Sequence, residues 1–274
     1  MNLNTDCHNT WCPGCGNFLI EKIFRDIISE LIDEGFNIDN FVVISGIGCH
    51  AKISDFLNMN SFYSLHGRTL PPATGMKLAN PKLSVICFSG DGDSLGEGIS
   101  HSIFSAKRNS DVSLFVHDNG NYGLTAGQFT PTSSKGFIGK STPFGNSEEP
   151  LNPVLLMLSS GATFVARTST FDIKQLKDVM KQAILHKGFS FVDILQHCPT
   201  FNKSLLKLKD NFCNLSEMKH NVSDFSSALE KSREAYKIYT GVFYNIEKPT
   251  FEEQEIADSK DSHSAISDYL KTKI

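Results

Sequence analysis

The spacing of apolar side chains along the chain distinguishes the predicted helices from the predicted strands. Between residues 18 and 34 they return every three or four positions, which predicts an amphipathic helix that Gly35 ends. Elsewhere short runs are mostly apolar, as in strands that are buried on both faces. The predicted strands are residues 41–45, 83–89, 112–116, 162–167 and 189–195, and further helices are predicted at residues 99–108 and 171–186.

This alternation of strands and helices predicts an α/β fold, with a mostly parallel sheet and helices on both of its faces. In such sheets, ligands bind beyond the carboxyl ends of the strands. Those ends carry glycine-rich or polar segments, which read GIGCH, SGDGD, HDNGNYG and QHCPTFN. The loops with candidate chemistry are therefore expected at one edge of the sheet.

The pattern weakens after residue 203, where charged residues are frequent and only weak helical periodicity remains. We therefore divide the chain into a domain at residues 1–203 and a C-terminal extension at residues 204–274. The extension is predicted to be partly helical and to contact a partner chain.

Composition and charge narrow the class of protein. A formal net charge of -4 and a pI near 6.1 disfavour a nucleic-acid-binding protein, which carries an excess of basic residues. The chain does not start with the basic and apolar segments of a secretion signal, and no apolar run reaches the roughly 18–20 residues of a membrane span. These features predict a cytoplasmic protein that contacts neither nucleic acid nor membrane.

The chain has 7 cysteines, an odd number for a disulfide framework, so cysteines that group together suggest metal or cluster binding. Cys12 and Cys15 flank a Pro-Gly turn in the segment TWCPGCGN. Such a turn can hold zinc, take part in thiol–disulfide exchange or ligate iron. Thiol–disulfide exchange has the weakest support, because the strand and helix expected around a thioredoxin-like motif are missing. Cys7, Cys87 and Cys213 are interpreted as ordinary thiols.

The segment SGDGDSLGEG, residues 89–98, connects a predicted strand to a predicted helix. Its glycines allow backbone N–H groups to approach an anion, and the start of a helix favours negative charge. Asp91 and Asp93 would repel a bare phosphate, so we expect a divalent cation between them. Mg²⁺ prefers oxygen ligands and commonly bridges carboxylates to phosphates.

Gly90-Asp91-Gly92 is followed, after a helix and a strand, by Asp118-Asn119, a spacing that resembles the GDG…NN signature of thiamine-diphosphate enzymes. Further segments extend the resemblance: WCPGCGN, SGIGC, LHGRTLPPATGMKLANP, GDGD, KRN, DNxxYGLTxGQ and CxTFN. They occur in the order expected for the beta subunit of 2-oxoacid:ferredoxin oxidoreductases. The chain therefore resembles the thiamine-diphosphate-binding subunit of that family, which has a diphosphate-domain fold.

The resemblance implies a cofactor site with a metal ion. Mg²⁺ would be held by Asp91, Asn119 and the backbone oxygen of Asn121. The residues implied to bind thiamine diphosphate are Ile47, Gly48, Cys49, His66, Gly90, Asp91, Gly92, Asp93, Asn119, Asn121, Tyr122, Gly123 and Leu124. His66 and Arg68 are candidate catalytic residues that could contact a phosphate, a carboxylate or the reacting carbonyl. For Arg68, a salt bridge that fixes its own loop is an equal alternative, and His50 and His101 are expected outside catalysis.

The resemblance also implies a 4Fe–4S cluster on Cys12, Cys15, Cys49 and Cys198. A zinc site on the same cysteines stays open, because tetrahedral zinc and a cubane both take four thiolates. The position of Cys49 in a loop that lines the cofactor favours iron, since zinc has no redox role.

The implied reaction is the oxidative decarboxylation of a 2-oxoacid, with the acyl group passed to coenzyme A and the electrons to ferredoxin. In this family the activating Glu belongs to a pyrimidine-binding domain that the chain does not resemble. The chain is therefore expected to need an alpha subunit in a heterodimer and to be inactive alone. Two alternatives remain open. A non-redox thiamine-diphosphate enzyme subunit would leave the cysteines unexplained, and a zinc-stabilised non-catalytic subunit would leave the GDG…DN pattern unexplained.

Overall fold

One eight-stranded sheet runs through residues 2–234 and 236–255, the part of the chain that a computed structural model describes. The strands are β1 (Phe41–Ser45), β2 (Ser61–Tyr63), β3 (Ser84–Gly90), β4 (Val112–Asp118), β5 (Phe164–Ser169), β6 (Ser190–Leu195), β7 (Phe212–Asn214) and β8 (Ile238–Asn245). They lie in the order β2-β1-β3-β4-β6-β5-β8-β7. The first six strands in this order pair in parallel, and only the β5–β8 pair is antiparallel. The predicted mostly parallel sheet is confirmed.

Helices cover both faces of the sheet. They are α1 (Asn17–Asp33), α2 (Ile53–Phe56), α3 (Leu70–Ala79), α4 (Ile99–Arg108), α5 (Pro153–Ser160), α6 (Ile173–Leu185) and α7 (Phe225–Arg233). Within β3, Ile86 and Phe88 pack on the face that α1 and α6 cover, while Val85 and Cys87 pack on the opposite face with residues of α3, α4 and α5. Because successive strand residues point to opposite faces, each core strand needs apolar residues at nearly every position.

The predicted helix boundaries agree with the structure to within two residues. The first predicted helix is α1, and the chain turns away at Gly35, whose φ of +101° suits glycine. The helix predicted at residues 171–186 begins two residues later, because Asp172 caps α6 by accepting a hydrogen bond from the Gln175 N–H.

The segment after residue 203 contributes strands to the sheet, which the prediction of a weakly helical extension missed. β8 pairs along β5, and Tyr239 and Phe243 on β8 are buried in the core. The boundary at residue 203 and the contact with a partner chain stay predictions, and residues 256–274 of the predicted extension lie outside the described residues. Among the described helices, none is both long and apolar enough to cross a membrane.

Candidate functional site

A cavity lies at the carboxyl ends of β1, β3 and β4. The loops that follow these strands form its walls, together with the loop that carries His66. The structure brings together every residue that the resemblance assigned to the cofactor, from Ile47 on the first loop to Leu124 on the third. His50, His117 and Thr125 also line the cavity, and no sequence motif assigns them to the site.

Glycines allow the three loops to approach each other closely. A side chain at Gly92 would overlap the ring of Tyr122, whose hydroxyl donates a hydrogen bond to the Gly92 carbonyl at 3.0 Å. A Cβ atom at Gly90 would lie 2.9 Å from His50 Nδ1. Between Gly92 and Glu97 the chain forms a π-helix that leads into α4. The glycine-rich loop thus packs directly against the wall of the cavity.

Asp91 is buried beside two hydroxyl donors. Its Oδ2 accepts hydrogen bonds from Thr130 Oγ1 at 2.5 Å and from Thr132 Oγ1 at 2.7 Å. Burial raises the pKa of Asp91, because a carboxylate loses its hydration in the protein interior. A cation at this position would offset that cost, so the donor set suits a hard metal ion.

A second buried acid, Asp118, lies on the other side of Thr132 and was not assigned a role from the sequence. Its Oδ1 lies 2.8 Å from Thr132 Oγ1, whose single hydroxyl proton it shares with Asp91. Burial, followed by repulsion from Asp193 and Asp91, raises the pKa of Asp118 well above its ordinary value. Buried carboxyl groups are therefore concentrated next to Asp91, which makes this side of the cavity a favourable site for a cation.

The loop after β4 holds Asn119 and Asn121 in a fixed turn. The Asn119 side-chain oxygen accepts a hydrogen bond from the Asn121 N–H at 3.0 Å. Asn202 Nδ2 donates to the carbonyls of Asn119 at 3.0 Å and Gly120 at 3.1 Å. Within the described residues, no three His, Cys, Asp or Glu side chains form a group that could hold a metal ion. The predicted Mg²⁺ ligands are instead one carboxylate, one amide and one backbone carbonyl, a mixture that Mg²⁺ accepts.

Asp93 is held by protein groups, in contrast to the expectation that it faces a cation with Asp91. Its Oδ1 accepts hydrogen bonds from the Gly67 N–H at 2.7 Å and the Ile47 N–H at 3.3 Å. Its Oδ2 accepts one from Ser89 Oγ at 2.5 Å. Burial raises the pKa of Asp93, but the contacts with His50 and these donors outweigh burial and lower it. Asp93 therefore braces three loops as a carboxylate.

Two histidines lie on either side of Asp93. His50 Nε2 is 3.3 Å from Asp93 Oδ2, and His66 Nδ1 is 3.4 Å from Asp93 Oδ1. His50 is buried and lines the cavity, and its place outside catalysis stays a prediction. The His117 ring lies 5.8 Å from the His50 ring, and burial lowers the pKa of His117 well below its ordinary value. His117 Nε2 is buried without a hydrogen-bond partner among the described residues, which leaves a polar atom available to a ligand.

Arg68 lies outside the cavity wall. Its Nη1 donates hydrogen bonds to the carbonyls of Gly67 at 3.2 Å and Glu97 at 3.1 Å. These contacts connect the His66 loop to the end of the π-helix. His101 is likewise outside the cavity, on α4.

The cysteines at positions 12, 15, 49 and 198 lie near one another at the same edge of the sheet. We refer to these four cysteines together as the thiol group. Burial raises the pKa of Cys15 to about 11, and repulsion from Cys198, Cys49 and Cys12 adds to this effect. Thr200 Oγ1 is 3.3 Å from Cys12 Sγ, which joins the N-terminal turn to the loop after β6. All four are free thiols.

Cys49 belongs to the thiol group and to the cavity wall at once. Burial raises its pKa, and Cys198 and Cys12 raise it further by repulsion. A Cβ atom at Gly123, on the loop after β4, would lie 3.3 Å from Cys49 Sγ. The thiol group therefore borders the cavity. Cys87, in contrast, is buried in the middle of β3.

The sheet with its glycine-rich cavity is the fold of thiamine pyrophosphate enzymes. Residues 46–194 match the family described as "Thiamine pyrophosphate enzyme, C-terminal TPP binding domain". Residues 198–258 match the family that describes the C-terminal part of the "Pyruvate ferredoxin oxidoreductase beta subunit".

Relatives identify the family more narrowly. The 2-oxoacid:ferredoxin oxidoreductase subunit beta of Saccharolobus solfataricus is 42% identical over 93% of this chain and 88% of that protein. The 2-oxoglutarate oxidoreductase subunit KorB of Mycobacterium tuberculosis is 43% identical over 73% of this chain and 53% of that protein. This chain belongs to the family of 2-oxoacid:ferredoxin oxidoreductase beta subunits.

A solved structure has the same fold over almost the whole chain. It is a 2-oxoglutarate:ferredoxin oxidoreductase from Magnetococcus marinus with 2-oxoglutarate, coenzyme A and succinyl-CoA bound. The TM-score is 0.90 at 36% sequence identity, and the match covers 96% of this chain and 89% of that chain.

Proposed function

We propose that this beta subunit holds thiamine diphosphate and Mg²⁺ in the cavity and a 4Fe–4S cluster on its four grouped cysteines. In this proposal a 2-oxoacid is decarboxylated at the cavity, and its electrons pass through the cluster to ferredoxin. The observation that carries the proposal is the position of Cys49. This residue lines the cavity and also lies beside the other three cysteines. A redox centre there would border the reacting cofactor.

Asp91, Asn119 and the Asn121 carbonyl are the proposed Mg²⁺ ligands. The buried carboxyl of Asp91 supports this assignment, because a bound cation would offset the cost of its burial. Gly90 and Gly92 leave the backbone of the loop accessible to a diphosphate. When bound, thiamine diphosphate supplies the ring that adds to the keto carbon and stores the electrons that CO₂ leaves behind.

The position of Cys49 favours a cluster over a single zinc ion. Tetrahedral zinc and a 4Fe–4S cluster both take four thiolates, so the ligand set suits either. Cys49 lines the cavity, where a redox-active centre would accept electrons from the reaction. Zinc has no redox role there.

His66 is the proposed catalytic residue. It lines the cavity with Nδ1 3.4 Å from Asp93 Oδ1, and its Nε2 would face a bound ligand. A hydrogen bond from His66 to a phosphate or to the reacting carbonyl would orient that group. For Arg68, the observed contacts with backbone carbonyls favour the alternative role, in which it fixes the loop.

The rim of the cavity supports the need for a partner. Leu65 and Leu124 are 75% and 52% exposed beside the site, and an apolar rim of this kind suits contact with another chain. We propose that this rim is covered by an alpha subunit, which contributes the activating Glu and completes a cytoplasmic heterodimer. By analogy with the bound ligands of the Magnetococcus marinus enzyme, coenzyme A would take the acyl group.

Purification of the chain with and without its alpha subunit, under anaerobic conditions, tests this function. The complex is expected to reduce ferredoxin when given a 2-oxoacid, coenzyme A, thiamine diphosphate and Mg²⁺, and the beta subunit alone is expected to be inactive. Metal analysis is expected to find iron and inorganic sulfide bound to the beta subunit. Stoichiometric zinc without iron, or full turnover by the beta subunit alone, would contradict the proposal.

A further inference from the structure

The thiol group is assembled from three separate parts of the chain. Cys12 and Cys15 lie on the N-terminal turn, Cys49 follows β1, and Cys198 follows β6. Since β1 and β6 belong to the sheet, Cys49 and Cys198 start from fixed positions. The N-terminal turn precedes α1 and has no strand in the sheet, so other contacts must hold it against the Cys49 loop.

Trp11 makes the buried contact between these two segments. Its indole Nε1 donates a hydrogen bond to the Cys49 carbonyl at 2.6 Å, and the side chain is only 7% exposed. The indole packs edge-on against Phe18 at 5.3 Å and Phe56 at 4.8 Å between ring centroids. Its rotamer is therefore fixed by packing while its N–H group points to the residue that borders the cavity.

Other contacts between the two segments are weaker supports. Lys52 Nζ donates to Thr10 Oγ1 at 2.8 Å, but this pair is exposed and competes with water. Backbone contacts such as the Thr5 N–H to the Phe56 carbonyl at 3.3 Å hold the chain several residues before the cysteines. Residues 6–8 between these contacts are all exposed, so Trp11 is the apolar anchor next to Cys12.

We propose that Trp11 is a positioning residue of the thiol site, which ties the N-terminal turn to the Cys49 loop before any cluster binds. The proposal rests on the proposed function only in assigning a cluster to these thiols. The apolar packing of Trp11 anchors the turn, and its N–H group sets the orientation of the Cys49 backbone. The protein therefore holds the site in a bound-like arrangement and reduces the ordering that binding would otherwise require.

The rate at which iodoacetamide alkylates each cysteine in the full-length, metal-free chain tests this role. Trp11→Phe keeps an aromatic ring but removes the N–H donor, and Phe56→Leu is the matched control that loosens the packing but keeps the donor. Alkylation of Cys49 is expected to accelerate roughly two- to twelvefold in Trp11→Phe, the effect of one lost hydrogen bond. Cys213 on β7, outside the group of four thiols, serves as the internal reference, whose rate is expected to stay the same. Equal rates at Cys49 in the wild type and Trp11→Phe, or equal acceleration in both variants, would overturn the proposal.

A second measurement covers the case in which Trp11→Phe does not fold. Trp11 is the only tryptophan, so its indole N–H gives a single resonance in the proton NMR spectrum of the metal-free wild type. Slow exchange of that proton with solvent is expected if the bond to the Cys49 carbonyl forms without a cluster. Exchange at the rate of a free indole would overturn the proposal.

Reconstitution with iron and sulfide separates this proposal from the proposed function. In a loaded protein, Trp11→Phe is expected to shift the reduction potential of the cluster, whereas Phe56→Leu is expected to leave it unchanged, because hydrogen bonds near the ligands tune the potential. If the wild type takes up only zinc, the proposed function fails, and the alkylation rates still decide the role of Trp11.

Discussion

The carboxylate of Asp93 fills the space that a side chain at Gly46 would need. Gly46 directly follows β1 and begins the first loop of the cavity, and Asp93 follows the GDG segment of the second loop. The same carboxylate accepts hydrogen bonds from the Ile47 and Gly67 N–H groups. The shape of the cavity therefore depends on close contact between Gly46 and Asp93.

Replacing Gly46 by Ala is expected to destabilise the chain by about 1–3 kcal/mol, because the added methyl group must displace the Asp93 carboxylate from its donors. The matched control is Gly75→Ala on α3, where an added Cβ atom meets nothing within 4 Å. Alanine there is expected to stabilise the helix by up to about 1 kcal/mol. Denaturant unfolding measures both values, and a Gly46→Ala chain as stable as the wild type would contradict this packing.

Asp91→Asn separates the binding role of the carboxylate from its cost to the fold. The amide can still accept hydrogen bonds from Thr130 and Thr132, but it removes a buried charge, so the metal-free chain is expected to be as stable as the wild type or more stable. Binding of thiamine diphosphate with Mg²⁺ to the complex is expected to weaken at least about tenfold. Titration calorimetry measures the affinity, and Asp26→Asn at the exposed Lys22 pair is the control. Undiminished binding by Asp91→Asn would contradict the proposed metal site.

Arg167 on β5 and the fully buried Asp193 on β6 form an ion pair, with Nε and Oδ2 2.8 Å apart. Arg167→Met leaves the Asp193 charge buried without its partner, which is expected to cost about 3–5 kcal/mol of unfolding free energy. Lys22→Met in the exposed pair with Asp26 is expected to cost at most about 1 kcal/mol. Equal effects of the two substitutions in denaturant unfolding would show that the buried pair does not contribute as argued.

His186 predicts a pH dependence of stability that is independent of the cavity. It lies against Phe164 and 2.8 Å from Thr163 Oγ1, and burial lowers its pKa from the ordinary 6.5. The unfolded chain binds a proton at this histidine at higher pH than the folded chain does. Stability is therefore lost as pH falls from about 6.5 toward the lowered pKa, by at most about 1.4 kcal/mol per pH unit.

His186→Gln keeps a hydrogen-bonding partner for Thr163 and removes the titrating group. Its unfolding free energy is expected to fall less steeply than that of the wild type between about pH 6.5 and pH 5. Denaturant unfolding at several pH values measures the two slopes. Identical slopes would mean that His186 takes up its proton equally in the folded and unfolded chains.

The core strands and long helices were predictable because each buries a regular apolar pattern. β2 was missed because it has three residues, all exposed, and pairs only at the edge of the sheet. β8 was missed because its pairing with β5 is irregular and Gly241, with φ +108°, interrupts the strand. Both strands depend on a neighbour that is distant in sequence, and local periodicity does not reveal such pairing.

The candidate site was predictable where a segment carries its own chemistry and hidden where it depends on contacts between segments. The residues around Asp91 and Asn119 stand at the ends of successive strands, so their meeting in one cavity follows from the topology. The bracing role of Asp93 depends on donors from two loops and from the end of β3, and the burial of His50 depends on its packing against Gly90. Asp118 directly precedes Asn119 at the end of β4. Its position at a strand end already indicated a place near the site, but the motif assigns a ligand role only to Asn119.

The central claim is that electrons pass from the cofactor cavity to the thiol group through the region of Cys49. It is tested most directly by adding a 2-oxoacid and coenzyme A, without ferredoxin, to the anaerobic complex of this chain with its alpha subunit, loaded with thiamine diphosphate and Mg²⁺. The visible absorption of the cluster is expected to bleach, and Asp91→Asn is expected to prevent the bleaching while Cys213→Ser does not. Release of CO₂ with no change in absorption, or a colourless complex that contains zinc, would contradict the account.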